Sequence, residues 1–388
     1  PALASGVIDA MSAAPPGSEQ QMAALRVYRM IEDRQSRRPE WVEQWMARQW
    51  QQAFPGQGQL QHDLMQHLKY ALAYADTDLP QYRQRVSDVQ RALREVPLPQ
   101  RVYASLKQQA REQLHPGLDL RHQVGPAFDV VYQPSAGAGR EDNLLLAPML
   151  TAKGYTAYFE PRSQRFAEMA MIDQWALGER AQLDYSDADR EALSERLRNL
   201  YSTDYIDSWR RALNAFAVAD FRDLDHAVVI LQQLTGPAAP LQRLLDTVRE
   251  NTSLSSAAGI EAPSEAAALQ PASRPPAQQQ TLAIQRAFAG LSAMLQSTGD
   301  KPSYYDETLA AIAAVHDYAK AVQDSPDRGK AALQAVHQRF SMTGHDPIGT
   351  LQRVATGLPE PLNFQVRKVA DQTARVLNVE ALRELERR

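Results

Sequence analysis

The chain has 388 residues, 44% of them hydrophobic and 23% charged, a globular composition with room for two or three domains that excludes a disordered or collagen-like chain. It holds no cysteine, which excludes a disulfide scaffold, a zinc ribbon and a cysteine nucleophile but leaves the compartment open. Its net charge of -4 lacks the basic excess with which a general nucleic-acid binder displaces counterions, and no apolar run approaches the roughly 20 residues of a membrane span. Arg outnumbers Lys, so the positive charge sits on groups suited to fixed, planar ion pairs. The chain opens on Pro1 with no signal peptide and reads as a piece cut from a longer protein.

The dominant period is helical. Pro39 precedes Trp41, Val42, Trp45, Met46, Trp50, Ala53 and Phe54, and Pro55-Gly56 stops the run. Trp41 and Trp50 fall on nearly opposite sides of that helix, which predicts wide burial. Over residues 80–96, Tyr82, Val86, Val89, Leu93 and Val96 form one stripe, with Asp78 as the expected cap and Pro97 as the stop. Val102, Tyr103, Leu106 and Ala110 carry the next helix as far as His115-Pro116-Gly117.

Between Leu118 and Phe159 the helical stripe is lost. Leu118, Leu120 and the run Phe128 to Tyr132 alternate in short stretches, Ser135 to Gly139 reads as a loop, and Leu144–Leu146 and Tyr155–Phe159 are candidate strands. This predicts a small β insertion at about 118–159.

Helical spacing then returns. Leu193, Leu197 and Leu200 lead into Tyr201, Tyr205, Trp209, Leu213 and Phe216, followed by Leu224 to Leu234, which Gly236-Pro237 ends. Pro240 opens a helix through Leu241, Leu244, Leu245 and Val248, and Ile284, Phe288, Leu291 and Leu295 form a later stripe. Ser325-Pro326 and Asp346-Pro347 each pair a capping side chain with Pro at the first helical position. The stretch 255–280, rich in Ser, Ala, Pro and Gln, buries too little to offset its ordering entropy and reads as a flexible linker. The expected organisation is a helical domain over 1–254, the linker, and a second helical block over 281–388. The fold class is mainly α, with multi-helix blocks in an elongated arrangement.

Chemistry is sparse. The phosphate-cradling G-x-x-x-x-G-K-[ST] is absent, and Gly137 and Gly139 give G-x-G without a third Gly. The eight His are scattered: His62 and His67 are five apart, and H-E-x-x-H is missing. His316 and His337 lie on apolar stripes and are expected in the core or at an interface, while Asp346 beside His345 is better explained as a cap. No G-x-S-x-G elbow occurs, and Trp and Tyr at helical spacing pack cores more often than they line a sugar groove. Asn251-Thr252-Ser253 is formally a glycosylation sequon, though its residues also suit a helix end. No catalytic, cofactor-binding or metal-ligating residue is assigned, and the chain is not expected to be an enzyme.

An ordered series of short motifs carries a resemblance. Leu25 to Met30 resembles an early "LY" helix; Trp41 to Trp50 with Leu64 and His67-Leu68 resembles a W…HL region; Pro97 to Tyr103 resembles a recurring helix start. Gly154-Tyr155-Thr156-Ala157-Tyr158-Phe159 is similar to "YT-x-x-F", and Trp175-Ala176-Leu177-Gly178 to "W-V-L-G" with Ala176 in place of Val. Leu200-Tyr201, Asp204-Tyr205-Ile206 and Trp209 resemble "LY-x-x-DY-I-x-x-W", and Pro240-Leu241, Leu244-Leu245 and Asn251 to Leu254 resemble "SP-L…LL…T-x-L", with Ala239 where Ser is common. In this order and spacing they resemble the TssM/IcmF family of the type VI secretion system.

The resemblance implies the helical part of the periplasmic region of an inner-membrane protein. It implies a structural pillar, linking the inner-membrane anchor to outer-membrane partners. Implied partners are the TssJ lipoprotein, TssL and other TssM copies; peptidoglycan-associated proteins are a further expectation, and nucleic acid is not. The family's β-rich domain, which carries the main TssJ contact, is expected beyond Arg388. The signature residues, mostly apolar or turn-forming, are expected to determine the fold. The alternatives are a cell-wall glycosidase of the lytic transglycosylase kind and a platform that recruits wall-modifying enzymes.

Overall fold

The computed structural model describes residues 2–75, 79–114, 116–135, 141–179, 186–254, 276–297, 299, 301–341 and 346–387. Helices make up nearly all of its regular structure, as expected. The chain groups into two compact units, Pro1–Gln113 with Phe159–Tyr201 and Leu114–Tyr158 with Ser202–Arg388. These boundaries lie away from the compositional cut near 255–280. Residues 255–275 are outside the described residues, and the helix Pro276–Ala287 takes up the last five residues of that stretch.

In the first unit, Glu19–Glu32 is the central helix. Ser18 accepts from the Gln21 backbone N–H and caps its start. Met22, Leu25, Tyr28 and Ile31 give it a buried stripe, each worth roughly 1.5–3 kcal/mol over an exposed position. The helices Ala2–Ala13, Pro39–Ala53, Arg83–Arg94 and Phe166–Ala176 supply Ile8, Val42, Leu93 and Ala176 to the same core. Burial of Pro39–Ala53 is narrower than expected: Val42, Trp45, Met46 and Trp50 are inside, but Trp41 is 37% exposed under the Arg38 guanidinium. The stripe over 80–96 divides into a 3-10 turn, Pro80–Tyr82, and the helix Arg83–Arg94; Asp78 lies outside the described residues. Gly178 takes φ +67 and ends Phe166–Ala176 in the left-handed region.

The second unit contains the small β elements. β1 (Leu118–Asp119) pairs antiparallel with β3 (Leu145–Leu146), and β2 (Tyr132–Pro134) with β4 (Phe216–Val218). The expected insertion is more helical than its sequence suggests: Leu120–Val124 and Phe128–Val131 are short helices. Tyr155–Phe159 is a single π-helical turn, not a strand. Phe216, expected to close the stripe of the helix Asp187–Asn214, sits in β4 instead, where its ring packs against Phe128 and Tyr132.

The long helix Leu362–Arg387 packs on Arg328–Phe340 and Pro347–Thr356. It buries Leu362, Val366, Val369, Thr373, Val376 and Leu377 along one face. Gln365 ties it to β4: its Oε1 accepts from Val218 N at 3.0 Å and its Nε2 donates to Phe216 O at 3.0 Å. Asp346 caps Pro347–Thr356 as expected, accepting from Ile348 N at 3.1 Å. The cap of Arg328–Phe340 is Asp327, two residues later than the expected Ser325.

Candidate functional site

In the second unit the signature residues from distant segments meet. Tyr205 and Trp209 lie one turn apart on Asp187–Asn214, their rings 6.4 Å apart and 20° from parallel. Trp209 Nε1 donates to Leu150 O at 3.0 Å, and the Tyr205 hydroxyl donates to Asn251 O at 2.5 Å. The Asn251 side chain accepts from Ala152 N at 3.1 Å and donates to Thr247 O at 2.9 Å. Thr151 caps the turn that follows by accepting from Gly154 N at 3.0 Å. A Cβ on Gly154 would lie 2.0 Å from Pro148 O, so only glycine permits this approach.

Tyr205 and Trp209 are fully buried, and burial pushes the Tyr205 hydroxyl far above its ordinary range. A proton so held is unsuited to acid–base work. The cluster satisfies its own donors and acceptors and fixes one packing of three segments, the fold-determining role expected for these residues. Asn251, whose amide is committed on both sides and 9% exposed, is a structural residue rather than a glycan acceptor.

The first unit holds a different arrangement, one that motif reading did not single out. Arg26, within the Leu25 to Met30 motif, points into the interior. Its Nε donates to Asp173 Oδ1 at 2.8 Å and its Nη1 to Glu19 Oε1 at 2.7 Å. Burial lowers the Arg26 pKa, but Asp173 and Glu19 outweigh it and hold the guanidinium more strongly charged than usual. Glu19 titrates above its ordinary 4.5, because burial outweighs the attraction of Arg26. Asp173 Oδ2 is buried with no hydrogen-bond partner among the described residues.

A cavity of about 260 Å³ borders this cluster. Arg26, Ser105 and Asp173 form its buried wall; Arg38, Trp41, Arg162, Arg165 and Glu168 line its exposed part. Arg162 Nη2 donates to Gln113 Oε1 at 2.6 Å, and Arg165 pairs with Glu168 at 3.0 Å. Nothing local marks Asp173 as Arg26's partner, since 147 residues separate them.

The histidines do not converge. His62, His67 and His337 are exposed, so His337 is not in the core, and His316 is half-buried beside Asp317. His115 and His345 lie outside the described residues. Among the described residues no group of three or more His, Asp or Glu side chains is placed to hold a metal ion. No described helix is long and apolar enough to cross a membrane.

Comparison with known proteins gives the fold a context. The chain is 27% identical over 239 residues to the type VI secretion system component TssM1 of Pseudomonas aeruginosa, an alignment covering 59% of this chain and 21% of that protein. Its fold is similar to a chain of a solved type VI secretion system membrane core complex, with a TM-score of 0.50 and 14% identity over 74% of this chain and 51% of that one. The chain thus spans about a fifth of the length of the curated relative. The family model described as IcmF-related, "Intracellular multiplication and human macrophage-killing", matches residues 1–253. With that match over well more than half of its length, the chain belongs to the IcmF-related family.

Proposed function

We propose that the chain is a structural segment of the membrane complex of a type VI secretion system, standing in the periplasm between the inner-membrane anchor and outer-membrane partners. The family match over residues 1–253 carries this reading, and the names of both relatives agree with it. Its physical support is the signature cluster, where side chains that could carry chemistry serve packing instead. Helical blocks suit a strut, since each helix gains about 1.5 Å of length per residue with its backbone hydrogen bonds satisfied internally. TssJ, TssL and further copies of the same protein are the proposed neighbours, with peptidoglycan-associated proteins as additional contacts.

In-frame removal of this segment from the full-length gene tests the role. Secretion should stop while the shortened protein still accumulates in the inner membrane; secretion at the parental level defeats the proposal. Cross-linking mass spectrometry on the assembled complex tests the neighbours, and cross-links confined to cytoplasmic proteins would overturn the periplasmic placement. The Ser-, Ala-, Pro- and Gln-rich stretch 255–275 is proposed as a linker on composition. Limited proteolysis should cut there first, and resistance of that stretch under conditions that cut elsewhere counts against it.

A further inference from the structure

The long helix Leu362–Arg387 buries one face on its neighbours and leaves a patterned stripe on the other. Phe364 and Leu382 are large and apolar, yet 74% and 57% exposed. They are 18 residues apart, about five whole turns, so they stand on one line along the helix. Asp371 and Arg375 lie between them, each within about 20° of that line, and the fully buried Thr373 points the other way. Single exposed apolar residues need no explanation, but Val379 and Leu385 are also exposed and widen the Leu382 end into a patch.

The two charges on the stripe are not neutralised within the chain. Asp371 Oδ1 accepts from the Gln352 amide at 2.8 Å, a neutral donor, and forms no ion pair among the described residues. Arg375 commits Nε and Nη2 to Gln372 Oε1 and Phe221 O, and it too forms no ion pair among the described residues. Asp220, whose carboxylate feels Arg375, is held by Lys368 at 2.8 Å instead.

The order along the stripe is apolar, acid, base, apolar, with spacings of 7, 4 and 7 residues. Such a pattern is its own complement when reversed. Laid antiparallel on a second copy, about a two-fold axis at the level of Thr373, Phe364 of each chain meets Leu382 of the other. In the same register Asp371 of each meets Arg375 of the other, and the symmetry makes every favourable pair twice. A parallel pairing in register would instead set Asp371 on Asp371 and Arg375 on Arg375, which repulsion opposes.

We propose that this face of Leu362–Arg387 docks a second copy of the chain as an antiparallel helix pair. The pairing stands on the helix face alone and rests on the proposed secretion role only for its setting. There, two copies anchored in one membrane meet in this way when the axis runs along the membrane normal and the helices lie parallel to the membrane surface.

Sedimentation velocity of the 388-residue chain from about 1 μM to about 500 μM tests this, and the chain should pass from monomer to dimer within that range. Asp371→Arg and Arg375→Asp should each weaken the dimer roughly tenfold or more. The two changes combined in one chain should restore it, a rescue that damage to the fold would not give. The chain has no cysteine, so single substitutions report the register. A short bis-maleimide should join Phe364→Cys to Leu382→Cys in a mixture of the two variants. It should not join Phe364→Cys to itself, because those positions lie about 27 Å apart in the antiparallel pair. A chain still monomeric at about 500 μM overturns the proposal. A dimer untouched by the charge changes does so too, as does one in which Phe364→Cys links to itself as readily as to Leu382→Cys. In-frame deletion reads the secretion role separately, so either reading can fail alone.

Discussion

Replacing Arg26 by Met removes the cation of the buried cluster and keeps most of its apolar stem. Four contacts go: Nε to Asp173 at 2.8 Å, Nη1 to Glu19 at 2.7 Å, and Nη2 to Asp173 at 2.7 Å and to Glu19 at 3.4 Å. Two nearly buried carboxylates are left facing each other without a counter-charge, and breaking a buried pair in this way costs about 3–5 kcal/mol. At about 2–4 °C per kcal/mol for a unit of this size, the melting temperature should fall by about 6–20 °C at neutral pH.

The pH dependence has a definite sign. Glu19 already titrates above 4.5, since burial outweighs Arg26. A raised folded-state pKa contributes stability that is fully present below 4.5 and lost as pH rises through the folded value. Without Arg26 that value rises further, so the deficit of Arg26→Met should shrink as the buffer is lowered from about pH 7.5 towards about pH 4.5. Adding Glu19→Gln and Asp173→Asn to Arg26→Met should recover more than half of the loss, since no charge then remains buried. Calorimetric melting of all three proteins at both pH values is the assay. A neutral-pH loss within about 1 kcal/mol of zero, or one that grows on acidification, refutes the reasoning.

Four further changes probe the packing. Gly154→Ala places a Cβ 2.0 Å from Pro148 O and should cost about 1–3 kcal/mol or more in a urea melt. Trp209→Phe orphans the buried Leu150 carbonyl and should cost about 1–3 kcal/mol by the same measurement. Gln365→Leu frees Val218 N and Phe216 O together, so hydrogen exchange at Val218 should quicken and stability drop by about 1–3 kcal/mol for each orphaned group. Arg37→Lys loses a fork that donates to Met30 O, Ile31 O and Leu72 O at 3.0, 2.8 and 2.5 Å; a single ammonium should hold fewer of them, for a loss of about 1–3 kcal/mol in thermal unfolding.

Much of the helical framework is legible in the sequence because its signals are local. Pro39, Pro240 and Pro347 each stand at the first position of a helix, and Gly178 ends another with φ +67. The shifts arise where two local signals compete or where a distant strand intervenes. Ser325-Pro326 has the form of a cap and first residue, but Asp327 accepts from Lys330 N at 3.1 Å, and a carboxylate there also favours the positive end of the helix. Phe216 continues a helical stripe by spacing, yet β4 draws it out to pair with β2, more than 80 residues earlier. Tyr155–Phe159 has the aromatic content of a strand; the close approach of Gly154 to Pro148 starts a helical turn there.

The arginine excess has the least foreseeable outcome. From composition it suggests planar ion pairs, and Arg26 with Glu19 and Asp173 is such a case. The buried Arg198 pairs with Glu160 in the same way, but several other arginines serve the backbone, Arg94 and Arg101 while also reaching Glu179. Arg37 meets carbonyls at the ends of two helices, Arg101 donates to Leu93 O and Val96 O, Arg94 to Leu177 O and Arg375 to Phe221 O. The last turn of every helix leaves carbonyls without intrahelical partners, and a chain cut by 24 prolines into many helices has many such ends to satisfy. A guanidinium can reach two or three carbonyls with fixed geometry and favours the negative end of the helix, whereas an ammonium offers one point of contact. Which arginine serves an end and which serves an acid depends on what the fold brings within reach. Neither leaves a period in the sequence, and for that reason the Arg26 cluster and the cavity beside it are visible only in three dimensions.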